Sequence, residues 1–466
     1  MKKDVKVLLV QPNYQERKFS KDSISPPLGL AYIASVLEKN GIDVEILDAN
    51  VLNLDADDVV QRAISTGATV IGVGILMGGY KYSIEIAQKL PKNILSVAGG
   101  AYASSAPEKV LQNGFDIAVK GRGEYVILEI ALGKPLKDIP GIFYWENNKI
   151  VIASPRLFEN FKSAPLLRPA RHLLISNGVN KPYRLVGTMY FPWSPIFTSI
   201  GCPYQCYWCS KQVFNRFLPR EPKEVIVEID ELVKKYKVKE IDIYDDCFNA
   251  DIQRAEKILD LIIENKLNVK LRFVNGIRVN GITRPFMEKM KKAGCIEVAY
   301  GIESGDQEVL DRIPKMVLLE EIRRAIKYTK EAGILTVGFF ILGLQGDNKK
   351  TMQKTIDFAK EIGVDVAFFS ILTPYPGTRL WNLIEKEGKF LIRDFDDLYH
   401  NSGKMAFSHP DFPSADLVEK IYKKAYRDFY FSPKYIVKHL LALRSWRQLT
   451  LNLRGFSSII YTQIKG

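Results

Sequence analysis

Three of the five cysteines in this 466-residue chain, Cys202, Cys206 and Cys209, fall in the run GCPYQCYWCS with the spacing Cys-x3-Cys-x2-Cys. Thiolates are the usual ligands of iron–sulfur clusters, and full ligation of a four-iron cluster takes four of them. Three thiolates on one tight loop leave one iron open, to be completed by a substrate or cofactor. Cys247 and Cys295 stand apart, and no cysteine precedes Cys202. A structural zinc site normally takes four Cys or His ligands, often as paired Cys-x2-Cys units. None of the four histidines (His172, His400, His409, His439) stands at ligand spacing from the cysteines, which disfavours zinc. Nor do five cysteines in a chain this long form a disulfide framework.

The loop follows the strand-like run IFTSI and precedes the amphipathic run EPKEVIVEIDELVKKY. The same beat then recurs: IDIYDD with AEKILDLIIENK, KLRFVNGIR with RPFMEKMKKAG, IEVAYGIES with LEEIRRAIKYTKEAG, LTVGFFILGL with KKTMQKTIDFAKEIG, and VAFFSILTPYPG with TRLWNLIEKEG. Six strand–helix units without reversal predict a partial (β/α)6, TIM-like barrel over 193–385. Such barrels build their sites at the C-terminal ends of the strands, where Asp245, Asp246, Arg278, Glu303, Ser304 and Gly343 fall. A carboxylate in that position can equally cap the next helix, and both readings stand for Asp246. Cys247 reads as a small buried residue.

The first third alternates apolar runs (VKVLLVQP, IDVEILDAN, ATVIGVGIL, ILSVAGGAY, FDIAVKGRGE) with helical stretches such as LGLAYIASVLEKNG and IEIAQKL. Buried strands separated by short helices predict an α/β, Rossmann-like domain over 1–132 with a parallel sheet covered on both faces. Residues 133–192 read as a connector with a hairpin around Asn147–Asn148. The remainder, 386–466, reads as a helical region. Glycine-rich turns lie at Gly99–Gly100–Ala101 and Gly121–Arg122–Gly123–Glu124, where backbone can approach a ligand closely. Neither a GxGxxG fingerprint nor a Walker A motif is present.

Composition sets the outer bounds. With 47% hydrophobic and 26% charged residues the chain is globular, not disordered. Its apolar N-terminal stretch is too short for a secretory signal and no run reaches membrane-span length, so a cytoplasmic location is expected. The net charge of +13 is partly a tail property: Phe429–Gly466 has no acidic residue but includes Lys434, Lys438, Arg444, Arg447, Arg454 and Lys465. This segment interleaves Leu, Ile and Trp with the basic residues, a pattern suited either to peripheral contact with an anionic membrane or to a solvated helical cap. A nucleic-acid role is the lesser reading.

CPYQCYWC on the first strand–loop of a six-unit barrel resembles the radical S-adenosylmethionine superfamily. IDIYDDCF, GIRVN, GIESGDQEVLDRI, GFFILGLQG and TPYPGTRL follow in that family's order and spacing. The resemblance implies a 4Fe-4S cluster on Cys202, Cys206 and Cys209, with S-adenosylmethionine on the open iron and cleaved to a 5′-deoxyadenosyl radical. It places Trp208 on the adenine side, and Asp245, Asp246, Arg278, Glu303, Ser304 and Gly343 on the S-adenosylmethionine side. It also implies an external electron donor such as flavodoxin or ferredoxin.

Ahead of such a core, QPNY, PPLGLAYIASVLEKNG, VAGGAYAS and GRGEY resemble the domain of the cobalamin-binding branch. Gly99, Gly100, Ala101, Gly121, Gly123 and Glu124 would then lie on the cobalamin side. GGAYAS departs from the branch, where Pro-His often follows the two glycines. With no histidine before His172, this domain has none to ligate cobalt. The implied activity is methylation of an unactivated carbon of a bulky, apolar small molecule, with ring closure or oxidation by the same cofactors as the alternative. A non-catalytic cluster sensor is the competing reading from another class.

Overall fold

A computed structural model describes residues 5–14, 24–76, 78–156, 168–185, 187–210, 216–394, 397–398, 402–433 and 435–437. The basic segment beyond 437 therefore lies outside the described residues. Two compact units form: Met1–Pro203 with Ser210–Asp246 and Leu261–Lys270, and Tyr204–Cys209 with Cys247–Asp260 and Leu271–Gly466.

In the first unit the chain runs β1 (Lys6–Gln11), α1 (Leu28–Lys39), β2 (Asp43–Asp48), α2 (Ala49–Leu52), α3 (Ala56–Ser65), β3 (Val70–Gly74) and α4 (Tyr80–Lys89). It continues through β4 (Leu95–Gly99), α5 (Gly100–Ser105), α6 (Pro107–Gln112), β5 (Ile117–Val119) and α7 (Glu124–Ala131). Val7, Leu8, Leu9 and Val10 are each at most 1% exposed, as expected of a parallel strand covered on both faces. Leu30 and Leu37 of α1 and Val126, Ile127 and Ile130 of α7 share a core with Val7 and Leu9. Helix α3 begins in a reciprocal cap, Asp58 N–H donating to Asp55 Oδ1 (2.8 Å) and Asp55 N–H to Asp58 Oδ2 (3.1 Å).

The sheet order is β2-β1-β3-β4-β5-β6-β7, so chain direction across the sheet reverses between β1 and β3. In doubly wound sheets that reversal opens a ligand crevice at the strands' C-terminal ends. The sheet extends past the expected boundary near Leu132. β6 (Ile142–Glu146) and β7 (Lys149–Ile152) add to it antiparallel, closed by a two-residue turn with Asn147 at φ 51° and Asn148 at φ 59°. Asparagine tolerates both positive angles, and such a turn matches the strand twist. Pairing with β5 is not readable from local pattern, which places the hairpin in the expected connector rather than on the sheet.

The first unit also holds β8 (Trp193–Ile196), β9 (Ser199–Ile200), β10 (Leu218–Pro219), α8 (Pro222–Lys234) and β11 (Glu240–Ile243), with β8 and β11 parallel. IFTSI is thus not one strand: its last two residues pair antiparallel with β10 instead. Helix α9 (Ile252–Glu264) follows. The second unit continues with β12 (Lys270–Ile277), α10 (Arg284–Lys292), β13 (Cys295–Glu303), α11 (Gln307–Arg312), α12 (Leu319–Glu331) and β14 (Leu335–Leu342). After these come α13 (Lys349–Ile362), β15 (Val366–Ile371), α14 (Arg379–Glu387), β16 (Lys389–Phe390), β17 (Phe407–Ser408) and α15 (Ala415–Tyr430). Strands β12 to β15 pair in parallel in sequence order. The six strand–helix repeats are those of a partial (β/α)6 barrel. The C-terminal region is not wholly helical, since β16 and β17 pair antiparallel.

Helix α15 closes the outer side of β15 through phenols. Tyr426 Oη accepts from Phe369 N–H (3.2 Å) and donates to Phe369 O (2.9 Å); Tyr430 Oη does the same at Ala367 (3.2 and 2.9 Å). Tyr435 Oη donates to Asp365 O (3.2 Å). Burial holds all three phenols well above the ordinary tyrosine range, so they remain donors. No helix among the described residues is long and apolar enough to cross a membrane.

Candidate functional site

Two acidic residues after β11 anchor the start of the cysteine loop. Asp245, 2% exposed, accepts from Thr198 N–H (2.6 Å), Thr198 Oγ1 and Ser199 Oγ (2.6 Å). Asp246 Oδ2 accepts from Gly201 N–H (2.9 Å), one residue before Cys202. Thr198 and Ser199 are fully buried, so these donors need the carboxylate as partner. Asp246 is therefore engaged with the backbone of the preceding loop.

The rest of the loop belongs to the second unit. The Arg278 guanidinium, just past β12, stacks 3.6 Å from the centroid of the Tyr204 ring. Tyr207 Oη accepts from Gln345 N–H (3.3 Å) beyond β14, and its carbonyl accepts from Leu380 N–H (3.0 Å) at the start of α14. Trp208 packs edge-to-face on Tyr207 with centroids 4.8 Å apart. A turn from Cys206 O to Cys209 N–H (3.2 Å) sets the last spacing. Cys202 and Cys206 are half-buried, Cys209 is exposed, and none of the five cysteines forms a disulfide. Among the described residues no three His, Cys, Asp or Glu side chains are gathered tightly enough to hold a metal ion. The donor set itself, three thiols within eight residues, fits an iron–sulfur cluster.

Three more of the expected residues lie at strand ends of the second unit. Glu303 ends β13 at φ +69°, an angle costly for a non-glycine residue, and its carboxylate pairs with Lys315 Nζ. Lys315 also donates to Gly301 O, while Arg278 donates to Lys315 O and to Asn280 Oδ1 (2.8 Å). Arg278, Lys315 and Glu303 are each under 10% exposed, a buried group with two cations and one carboxylate. Ser304 Oγ lies 3.2 Å from Thr355 Oγ1 and accepts from Asp306 N–H (3.1 Å), so it ties the strand end to α13. Gly343, at φ +87°, donates its N–H to Asp347 Oδ2 (3.1 Å), as does Leu344 (3.0 Å). Thr351 Oγ1 bonds Asp347 Oδ1 (2.7 Å). Burial pushes the Asp347 carboxyl up to about 6.

Sequence reading missed Tyr204, Lys315 and Asp347. Lys315 and Asp347 act through partners that only the fold brings close. The position of Asp347, directly ahead of the cap Asn348, was the one local signal.

At the mouth of the first sheet, Gly100 has φ +89°, and a Cβ there would lie 2.8 Å from Ile75 O. A Cβ on neighbouring Gly99 would meet nothing within 4 Å, so that strand end faces open space a ligand can use. Ala101, half-buried, sits in the first turn of α5. Gly121 N–H donates to Ser104 Oγ (3.0 Å). Gly123 sits where a Cβ would be 3.4 Å from Ile33. Glu124 pairs with buried Arg122 (2.8 Å), so its carboxylate braces the turn. Bare backbone at adjacent strand ends beside open space fits a large ligand such as cobalamin. His172 bonds Glu38 (2.7 Å) on the surface.

Comparison with known proteins gives these sites a context. Residues 196–359 match the radical S-adenosylmethionine superfamily, and residues 20–131 match the B12 binding domain. An uncharacterised methyltransferase of Pyrococcus horikoshii is 31% identical over 451 residues, 94% of this chain and 95% of that protein. The anaerobic magnesium-protoporphyrin IX monomethyl ester cyclase of Rubrivivax gelatinosus is 28% identical over 413 residues, 84% of this chain and 72% of the cyclase. The radical S-adenosylmethionine methyltransferase TsrM of Kitasatospora setae, solved with cobalamin and a [4Fe-4S] cluster, shares the fold. Its TM-score is 0.68 at 20% identity, covering 83% of this chain and 81% of TsrM.

Fold and matches together define a radical S-adenosylmethionine enzyme. Within that class the chain belongs to the cobalamin-binding radical S-adenosylmethionine family, whose cofactors are the three that the sequence implied.

Proposed function

We propose that the protein methylates an unactivated carbon of a bulky, apolar small molecule. The observation that carries this reading is the similarity to a methyltransferase along 94% of the chain, with the three-thiol loop and the B12-type sheet both present. Cys202, Cys206 and Cys209 would hold the cluster, with Asp245 and Asp246 fixing the backbone from which Cys202 departs. The buried Arg278–Lys315–Glu303 group, with its surplus cation, suits the carboxylate of S-adenosylmethionine. Trp208, Ser304 and Gly343 would shape the same side. Gly99, Gly100, Ala101, Gly121, Gly123 and Glu124 would border the cobalamin. When bound, the cluster with S-adenosylmethionine supplies hydrogen abstraction from carbon, and cobalamin supplies a methyl group. The chain's own part is positioning and exclusion of water. An acidic electron carrier of the flavodoxin or ferredoxin kind, and peripheral membrane contact through the basic C-terminal segment, complete the reading.

The test is anaerobic incubation of reconstituted protein with methyl-deuterated S-adenosylmethionine, reductant, hydroxocobalamin and metabolites extracted from a deletion strain. A deuterated product supports methyl transfer. 5′-Deoxyadenosine with an unlabelled product supports ring closure, the second reading that similarity to the cyclase favours. No 5′-deoxyadenosine from protein with an intact cluster would overturn both. Replacing any of the three cysteines with Ala should abolish cleavage yet leave cobalamin retention largely intact.

A further inference from the structure

Gln11 is the last residue of β1, at the crevice where strand order reverses. It is 7% exposed, and its side-chain Nε2 is buried without a hydrogen-bond partner. Buried amide donors are nearly always satisfied, so an orphan in a crevice points to a missing acceptor. Its neighbour in register on β2, Asp48, is already engaged, accepting from Tyr183 Oη (2.9 Å) and Val51 N–H (3.0 Å). On the other side Val10 pairs with Val73, and the next residue of β3 is Gly74, which pairs with Gly99 of β4. The mouth of the sheet thus presents one amide side chain followed by two bare backbone positions, the second beside open space.

We infer that Gln11, the first residue of QPNY, donates a hydrogen bond from Nε2 to an oxygen acceptor of the cobalamin. This rests on the cobalamin reading of the first domain. Two parts of the ligand carry such oxygens, the amide side chains of the corrin ring and the phosphate and ribose of the nucleotide tail. Gln11 contributes to affinity and orientation, since a donor kept dry in the apoprotein gains its partner only when the ligand arrives.

Full-length apoprotein with the variants Gln11→Met and Gln11→Leu, neither of which keeps the donor, would be titrated with hydroxocobalamin and with cobinamide, which lacks the nucleotide tail. The expected result is binding about ten-fold weaker in both variants, with the thermal midpoint of apo Gln11→Met unchanged or raised. Weakening toward both ligands assigns the acceptor to the ring amides; weakening toward hydroxocobalamin alone assigns it to the nucleotide tail. Binding within about two-fold of wild type, or weaker binding with a lowered apo midpoint in Gln11→Met, would overturn the inference while leaving the cobalamin reading intact. Wild-type protein that retains no hydroxocobalamin would overturn both.

Discussion

Replacing Asp245 tests whether the cysteine loop is held from below. Its carboxylate accepts from one backbone amide and from two hydroxyls, all buried. Bonds to a charged acceptor contribute about 1.5–3 kcal/mol each, and an orphaned buried donor costs about 1–3 kcal/mol. In Asp245→Ala the Thr198 and Ser199 hydroxyls can rotate toward other acceptors, whereas the Thr198 N–H cannot. The expected loss is therefore about 3–5 kcal/mol, below the simple sum. Asp245→Asn keeps one acceptor oxygen for the fixed amide and should lose only about 1–2 kcal/mol. Urea melts of the apoprotein give the stabilities, and iron per chain after anaerobic reconstitution gives the functional readout. Iron content should fall in the order wild type, Asn, Ala. An Ala variant within about 1 kcal/mol of wild type and carrying full iron would refute the argument.

Asp347 makes a prediction in pH. Its carboxyl is raised from 3.8 to about 6 by burial, so the fold favours the neutral form. The stability this provides is full below pH 3.8 and is lost as pH rises through about 6. Asp347→Asn stays neutral throughout, so its stability relative to wild type should rise by about 2.4 kcal/mol between pH 4 and pH 7. Urea melts at intervals across that range check this, and a constant difference would count against it. At the first sheet, Gly100→Ala should lose about 2–4 kcal/mol, because it combines positive φ with a close approach to Ile75 O. Gly99→Ala, with φ −133° and nothing within reach, should lose under about 1 kcal/mol. Thermal melts of the pair would show whether the two glycines differ in this way.

Much of this molecule is written in local pattern. Uninterrupted apolar runs such as VLLV and IGVG gave the buried parallel strands, and all six helices expected after the barrel strands formed within a few residues of their predicted ends. The cysteine spacing carried its own chemistry. What pattern could not reveal depends on distant pairing. The β6–β7 hairpin was expected, but its place on β5 is decided by Ile142, Phe143 and Tyr144 finding Ile117, Ala118 and Val119. Asp245, read as one of the S-adenosylmethionine-side residues, turned out to be bonded to residues some 47 positions earlier. Lys315 looked like one more basic residue in a basic chain, and only folding sets its ammonium on Glu303.

The phenols of α15 have a consequence beyond packing. A terminal strand of a sheet offers alternate N–H and C=O groups to any chain that can align with it. On β15 Tyr426 and Tyr430 occupy those groups at Phe369 and Ala367, and Tyr435 takes the carbonyl of Asp365. This row of phenols thereby counterfeits a neighbouring strand, its hydroxyls meeting residues two apart. It ends strand addition at β15 and keeps this edge from recruiting a second copy of the protein.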